Sequence, residues 1–381
     1  MATKPLCYNP PMLASILIAA LAAAPGGQIA YTAGLDPDRR QVRVLDLASG
    51  ESRAVGPGQR DGAPRWSRHG LWLAFETATP GGQGIYLVRG DGSSGGLLPH
   101  ASPWNESPAW SADGTRIAYS AGSGPGRGIV VVDLDTRIET RWGGAPTEPD
   151  PLRPTGMLLP AWLPDGALQR LVEPLGMDKE TSAKLLGNSG ETKVPAVLAI
   201  GIAGPPGTFT TDIHAVTLHG ALPFPDSILP SKGRYEEWNV APSPRGNGIA
   251  FESNDGGDRD IFVLGPRGVY DISNHRAADW NPVWSNGGSW LAFESLRGGR
   301  RGIYRVHNET DRVMPVAASG SCENWAPSWS PDDSWIAFVS DRSGEPNLYA
   351  VNLEDGQTVA LAAQPSLAEF APAWRPSGAG E

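Results

Sequence analysis

Hydrophobic and polar residues alternate along most of this chain in short runs, the period expected of half-buried β-strands. Residues 108–120, PAWSADGTRIAYS, show the pattern: a run ending in Trp110, a turn of Asp-Gly type, and an apolar run centred on Ala118. Similar segments begin at Pro64, Pro282 and Pro327, and each is followed by a Gly-rich loop and a further apolar run. The pattern predicts tandem antiparallel hairpins.

One position just before each of these turns recurs, and we call it the anchor position. Most intervals between anchors are about 44 residues, enough for four strands and their turns, and the interval after the third is about twice as long. The anchors in chain order are Trp66, Trp110, Trp162, Pro242, Trp284, Trp329 and Trp374.

A four-stranded unit of this size cannot bury both faces of its own sheet, so several units must cover one another. We therefore expect an all-β fold, a closed β-propeller of seven four-stranded blades, with six or eight blades as the alternatives. Because residues 372–374 resemble a first strand and residues 29–31 a second strand, we expect the N- and C-terminal strands to share one blade, with Trp374 beside the Ile29 strand.

The long interval between Trp162 and Pro242 predicts an irregular insertion at about residues 173–235, with a short helix near residues 178–186. Residues 197–204 and 213–218 inside this interval are apolar enough to be strands. We expect one propeller domain over residues 29–376.

The first 28 residues have the features of a secretory signal peptide. Lys4 precedes an apolar run from Met12 to Ala24, which ends in three alanines that suit cleavage. The run is too short to cross a hydrocarbon core. We expect a secreted or periplasmic mature protein with no stable membrane span, and with Cys322 as its single cysteine.

Composition excludes some partners. The formal net charge of −10 and the lack of a basic run argue against nucleic acid, since phosphate binding needs a local surplus of Lys and Arg. The 14 Trp argue against disorder despite 48 Gly and 36 Pro, because disordered chains are poor in aromatic residues.

The repeat resembles the TolB-type, WD-like propeller repeat of bacteria, which runs P-x-W-S-P-D-G and then I-A-F-x-S-D-R-x-G. Residues 329–333 (WSPDD) and 336–344 (IAFVSDRSG) match it closely. The resemblance covers residues 29–376 without the insertion. It implies a propeller fold and leaves the function open.

In a propeller, the loops that lead into each first strand approach the axial funnel, and here they carry repeated Trp-Asn or Asn-Trp pairs beside an acid. One interpretation is structural, with these Trp packing over the next blade; the other is a ring that binds a peptide or a sugar. The candidate binding residues are His100, Trp104, Glu237, Trp238, His275, Asp279, Trp280, Glu323 and Trp325.

We expect a monomeric, non-catalytic scaffold that binds a protein segment or a polysaccharide through these loops, without a cofactor. The alternative is a metal-assisted polysaccharide lyase or hydrolase, because the repeats resemble those of some pectin-fragment lyases that hold a metal with several His. Only His100 and His275 lie in suitable loops. Asp255, Asp258 and Asp260 could ligate calcium, although their spacing is not that of an EF-hand.

Overall fold

The computed structural model describes residues 27–377 except 35, 100–101, 124–126, 143–155, 173–194, 204–209, 219, 224–235, 256, 319 and 362–371. The expected signal peptide therefore lies almost entirely outside the described residues. The strands are β1 (Gln28–Ala33), β2 (Gln41–Asp46), β3 (Ser52–Ala54), β4 (Gly62–Trp66), β5 (Trp72–Thr79), β6 (Gly82–Arg89), β7 (Gly95–Leu97), β8 (Asn105–Trp110), β9 (Arg116–Ala121), β10 (Gly128–Asp133), β11 (Glu139–Trp142), β12 (Gly156–Trp162), β13 (Val197–Ala203), β14 (Thr210–Thr217), β15 (Gly220–Pro223), β16 (Glu237–Pro242), β17 (Ile249–Ser253), β18 (Asp260–Gly265), β19 (Gly268–Asp271), β20 (Asp279–Trp284), β21 (Trp290–Ser295), β22 (Gly302–His307), β23 (Val313–Ala317), β24 (Asn324–Trp329), β25 (Trp335–Ser340), β26 (Asn347–Asn352), β27 (Thr358–Ala360) and β28 (Ala373–Trp374).

These strands pair into seven four-stranded antiparallel sheets, as the repeat predicted. Blade 1 has the order β28-β1-β2-β3, and blades 2 to 7 take the remaining strands four at a time in chain order, beginning with β4–β7. In blade 1, Ile29 lies opposite Trp374 and Ala30 opposite Ala373. The prediction that the two terminal strands share a blade is confirmed.

The chain divides into two compact units, which are described separately. The first unit comprises residues 1–80, 85–98 and 285–381, and so contains blades 1 and 7, most of blade 2 and strands β21–β23. The second unit comprises residues 81–84 and 99–284, and so contains blades 3, 4 and 5 and strand β20.

A serine after the anchor position closes the first hairpin of several blades. In blade 2, the Ser67 hydroxyl accepts the Trp72 N–H at 3.1 Å, and in blade 7 the Ser330 hydroxyl accepts the Trp335 N–H at 2.9 Å. The turn ends in a residue such as Gly70, whose φ of 65° suits glycine. The Trp-Ser-x-x-Gly pattern thus encodes a tight turn by satisfying its backbone donors.

The anchor tryptophans hold neighbouring blades together through a hydrogen bond as well as through burial. At four of the anchors, the indole N–H donates to the backbone carbonyl just before the anchor of the preceding blade. The bond recurs in both units, which explains why the repeat specifies Trp rather than another large residue. The pairs are Trp66 with Ala373 (3.0 Å), Trp374 with Ser328 (3.1 Å), Trp162 with Ala109 (2.9 Å) and Trp284 with Ala241 (2.8 Å).

Blade 5 has Pro242 at the anchor position, and a helix replaces the missing tryptophan. Helix α1 (Ala167–Val172) follows the first strand of blade 4, where the repeat would place a second strand. Leu168 of this helix joins a buried cluster with Phe251 of blade 5. Arg170 donates to the Gly246 carbonyl at 3.3 Å, so α1 both fills the interface and supplies a polar link.

The strand predictions inside the long interval are confirmed, since β13 and β14 overlap the two apolar segments. Together with β12 and β15 they form a single sheet, which makes the count seven blades rather than eight. The helix expected near residues 178–186 lies outside the described residues. In the part of the chain that is described, no helix is long and apolar enough to span a membrane.

Candidate functional site

A bulge in the first strand of several blades puts a non-glycine residue in the left-handed conformation. The φ angles are 45° at Asn239, 54° at Asn281 and 56° at Ala326, and Leu159 has 51° in blade 4. The register of the strand pairing shifts at the bulges of blades 4, 5 and 7. A left-handed residue in a strand releases its N–H from the sheet ladder, so this donor can serve a group in a neighbouring blade.

In the second unit, that group is the carboxylate of Glu252, at the end of the second strand of blade 5. Its side chain is fully buried. Oε1 accepts the Asn281 N–H at 2.7 Å and the Asn239 amide at 2.6 Å, and Oε2 accepts Arg259 Nη1 at 3.2 Å. A buried carboxylate is tolerated when donors and a cation surround it in this way.

Arg259 connects this buried carboxylate to the surface. Its guanidinium lies 4.2 Å from the centre of the Trp238 ring, and its side chain is 41% exposed. Trp238 itself is half-buried. The pairing with Glu252 and the stacking together hold the guanidinium and the indole in one geometry, and a cation over an aromatic face is itself attractive.

The first unit repeats the arrangement. Glu294, fully buried, accepts the Ala326 N–H at 2.8 Å through Oε1 and binds Arg301 through Oε2. The Arg301 guanidinium lies 5.7 Å from the centre of the Trp325 ring. The Glu–Arg–Trp set therefore recurs in the repeat. In each copy, the buried glutamate binds the N–H of a bulge residue and an arginine, and the arginine lies beside a tryptophan ring.

The candidate residues differ widely in exposure. In the second unit, Glu237 and Asp279 are fully buried, Trp238 and Trp280 are half-buried, and His275 and Trp104 are exposed, the last at 43%. In the first unit, Trp325 is buried and Glu323 half-buried. His100 lies outside the described residues. The acids expected at the binding surface in the second unit are thus inside the fold, and its aromatic side chains are accessible.

Asp260 is a buried carboxyl among other acids. Burial raises its pKa to about 7, and the charges of Asp271, Asp279 and Asp258 act in the same direction. Of the other two residues considered for calcium, Asp258 is exposed and Asp255 half-buried. Among the described residues, no group of three His, Cys, Asp or Glu side chains is arranged to hold a metal ion.

Sequence reasoning missed the glutamates and arginines of the repeated set, although a signal was present. Glu252 and Glu294 both lie in Ala-Phe-Glu-Ser segments, and the arginine that each one binds follows seven residues later. An acid at a fixed position of an otherwise apolar strand, with a cation at a fixed distance, indicates a buried pair.

Neither a protein-family model nor a curated protein matches this chain. Solved structures do. TolB from Acinetobacter baumannii is 16% identical, with 94% of this chain and 69% of that chain covered and a TM-score of 0.54. The propeller domain of the Trilobed protease from Pyrococcus furiosus is 12% identical, with coverage of 90% and 94% and a TM-score of 0.58. An oligogalacturonate lyase in complex with manganese is 16% identical, with coverage of 89% and 86% and a TM-score of 0.51.

At identities this low, structural similarity establishes the fold alone. Because proteins with the same propeller fold have many different functions, the similarity does not identify the function. The chain therefore has a seven-bladed β-propeller fold, and this fold is similar to that of TolB.

Proposed function

We propose that this protein is an exported, monomeric, non-catalytic scaffold that binds a protein segment. The binding surface would lie where the chain enters the first strands of the second unit. We call it the entry surface and define it by Trp104, Trp238, Arg259, His275 and Trp280. The observation that carries the proposal is the stacked Trp238–Arg259 pair, which is held in place from below by the buried carboxylate of Glu252.

Trp and Arg are the side chains most enriched among residues that dominate binding energy at protein interfaces. An arginine at an interface usually weakens binding in one respect, because its flexible side chain loses conformational entropy when it becomes ordered. Here Arg259 is already fixed by Glu252 and by the Trp238 ring, while its side chain stays 41% exposed. A fixed and accessible Trp–Arg pair favours recognition of a peptide carbonyl, a carboxylate or an aromatic side chain.

Glu237 and Asp279 enter this proposal as internal groups, because both are fully buried. The direct contacts are assigned to the accessible members of the entry surface. Secretion to the periplasm or the exterior is part of the proposal, and it rests on the signal-peptide features of residues 1–28.

The test uses a phage-displayed library of random peptides, selected on the purified protein. Affinities of the recovered peptides are then measured for Trp238→Ala and Trp280→Ala. The matched control is Trp290→Ala, which removes another half-buried Trp that lies under an arginine, Arg305, at 4.7 Å, but at the start of a second strand. We expect about 10- to 100-fold weaker binding for the first two variants and no change for the control. Equal effects in all three would overturn the assignment of the entry surface.

A second candidate is a metal-assisted lyase acting on a polysaccharide, which the similarity to the manganese-bound oligogalacturonate lyase favours. The test incubates the protein with oligogalacturonate, with and without Mn²⁺, and follows the absorbance of unsaturated products. Manganese-dependent product formation would support the lyase and contradict the non-catalytic scaffold. Binding of oligogalacturonate without turnover would instead extend the scaffold proposal to a sugar polymer.

A further inference from the structure

Blade 3 keeps the arginine of the repeated Glu–Arg set but has a serine in place of the glutamate. In blade 5, Glu252 lies opposite Trp238 in the first strand and Ile261 in the third. Ser120 lies opposite Glu106 and Ile129 in the same two strands of blade 3. By register, Ser120 therefore stands at the glutamate position.

Arg127 stands at the arginine position of the same blade, since it directly precedes β10 as Arg259 directly precedes β18. Its Nη2 binds Glu106, which replaces the tryptophan of the set. The blade thus keeps a cation where blades 5 and 6 hold one against a buried carboxylate.

This substitution leaves buried donors that the sister blades satisfy with a carboxylate. In blade 6, Arg301 Nε donates to Glu294 Oε2. In blade 3, the buried Nε of Arg127 has no hydrogen-bond partner among the described residues, and the same holds for the hydroxyl of Ser120, which is 1% exposed. Folded proteins seldom leave such groups without an acceptor, so this pair indicates a ligand.

The neighbouring blade supplies the remaining part of the arrangement. Strand β12 of blade 4 packs against β8 and β9, and its bulge residue Leu159 has a φ of 51°. Asn281, with a φ of 54°, is the equivalent residue in blade 6, and its N–H binds Glu252 of blade 5. Blade 4 therefore repeats the backbone conformation that delivers an N–H to a carboxylate in the preceding blade.

We propose that Ser120 and Arg127, with the bulge of blade 4, form a binding site for a single carboxylate. The bound carboxylate would occupy the position that the side-chain carboxylates of Glu252 and Glu294 occupy in blades 5 and 6. Glu106 already places one negative charge on Arg127, which disfavours a doubly charged anion such as phosphate. Arg127 is 21% exposed, so the site is reachable from solvent.

The inference rests on the proposed function for the source of this carboxylate. A bound protein segment would supply it as an Asp or Glu side chain or as a C-terminus. Trp104, 43% exposed, directly precedes the strand that carries Glu106, and gives the segment an apolar contact beside the site. A free small carboxylate is the other source of the same chemistry.

The first experiment uses formate as the probe and measures the thermal unfolding midpoint against chloride at equal ionic strength. We expect a saturable rise of about 1–3 °C with formate alone. Ser120→Glu supplies the carboxylate covalently and should abolish the response. Arg127→Gln removes the main donor and should also abolish the response to formate. It is the test variant if Ser120→Glu does not fold. No formate-specific rise, or a rise that both variants retain, would overturn the site.

A converse variant provides a positive control. Glu294→Ser copies the blade 3 arrangement into blade 6, where Arg301 and the Ala326 N–H remain. We expect its midpoint to fall and formate to restore part of the loss, so the total formate response should exceed that of the wild type. A response no larger than the wild-type one would count against a carboxylate site created by this substitution.

The second experiment separates the two sources. Peptides from the library selection are compared with forms in which Asp and Glu are replaced by amides and the C-terminus is amidated. A carboxylate carried by a protein segment predicts about 10-fold weaker binding of the amide forms to the wild-type protein. It also predicts that Ser120→Glu binds the acid and amide forms equally. A formate response with equal binding of both forms assigns the site to free carboxylates. Peptide binding that depends on Trp238 but not on Ser120, without any formate response, would refute the inference and leave the proposed function intact.

Discussion

The glutamate of blade 5 offers the sharpest test of the architecture. Glu252→Gln keeps the shape of the side chain and one acceptor oxygen, which can still serve the Asn281 N–H and the Asn239 amide. The second oxygen becomes an amide that faces the Arg259 guanidinium, so the ion pair is lost. Hydrogen bonds to charged groups are worth about 1.5–3 kcal/mol, against about 1 kcal/mol for neutral ones. Solvation of the released Arg259 side chain limits the cost, so we expect the free energy of unfolding to fall by about 2–3 kcal/mol.

Amide hydrogen exchange of the peptide that covers β20 measures this loss locally, because the Asn281 N–H is one of the bonds that weaken. A cost of about 2 kcal/mol corresponds to roughly 30-fold faster exchange when closing is much faster than chemical exchange, because the rate then follows the opening equilibrium. Glu236→Gln is the matched control, since that neighbouring side chain is half-buried and lies just outside β16. Its effect should stay within about 0.5 kcal/mol.

A double-mutant cycle with Arg259→Gln isolates the ion pair from the rest of the carboxylate's bonds. We expect a coupling energy of about 1–2 kcal/mol that changes little with salt, because the acid is buried. A coupling energy below about 0.3 kcal/mol, together with unchanged exchange in the β20 peptide, would refute the idea that Glu252 links β17 of blade 5 to β20 of blade 6.

Four further predictions follow from the packing and the charges. The raised pKa of Asp260 favours the folded state while the group is protonated, so stability should fall by about 1–3 kcal/mol as pH rises from about 4 through 7; Asp260→Asn should remove that fall in midpoints measured at pH 5 and 8. Trp284→Phe deletes the indole bond to the Ala241 carbonyl and should cost about 1–2 kcal/mol in urea unfolding. Pro242→Trp should destabilise by about 1–3 kcal/mol in the same assay, because α1 fills that interface. Gly246→Ala should lower the thermal midpoint by the equivalent of about 1–2 kcal/mol, since φ is 64° and the new Cβ would lie 2.3 Å from Arg170 Nη2.

The blade count and the shared terminal blade could be predicted because they depend on the period of the repeat. The spacing of the anchors and the alternation of apolar residues are local properties of the chain. The partner of Trp284 was beyond such reasoning, since the acceptor is a backbone carbonyl of another blade. Nor could residues 167–172 be assigned, because their apolar residues fit a strand and a helix equally until the space beside Pro242 is known.

The surroundings of the candidate binding residues could not be predicted from the sequence. The sequence analysis places Glu237 and Asp279 in loops that lead into first strands, whereas they are the first residues of β16 and β20 and are fully buried. Burial at a strand end depends on how the neighbouring blade packs, which a single repeat does not specify. The left-handed conformation of Leu159 and Ala326 has no sequence signal either, since neither residue type favours it.

The pairing of Ile29 with Trp374 constrains how the protein can be made. A nascent chain offers the edge of β1 to solvent for a long interval, because its partner β28 is synthesised after every other strand of the seven sheets. Until then, that edge is open to pairing with another chain. Blade 1 can be completed only after β28 has been synthesised, and a chaperone that shields this one edge would protect the protein from mispairing until then.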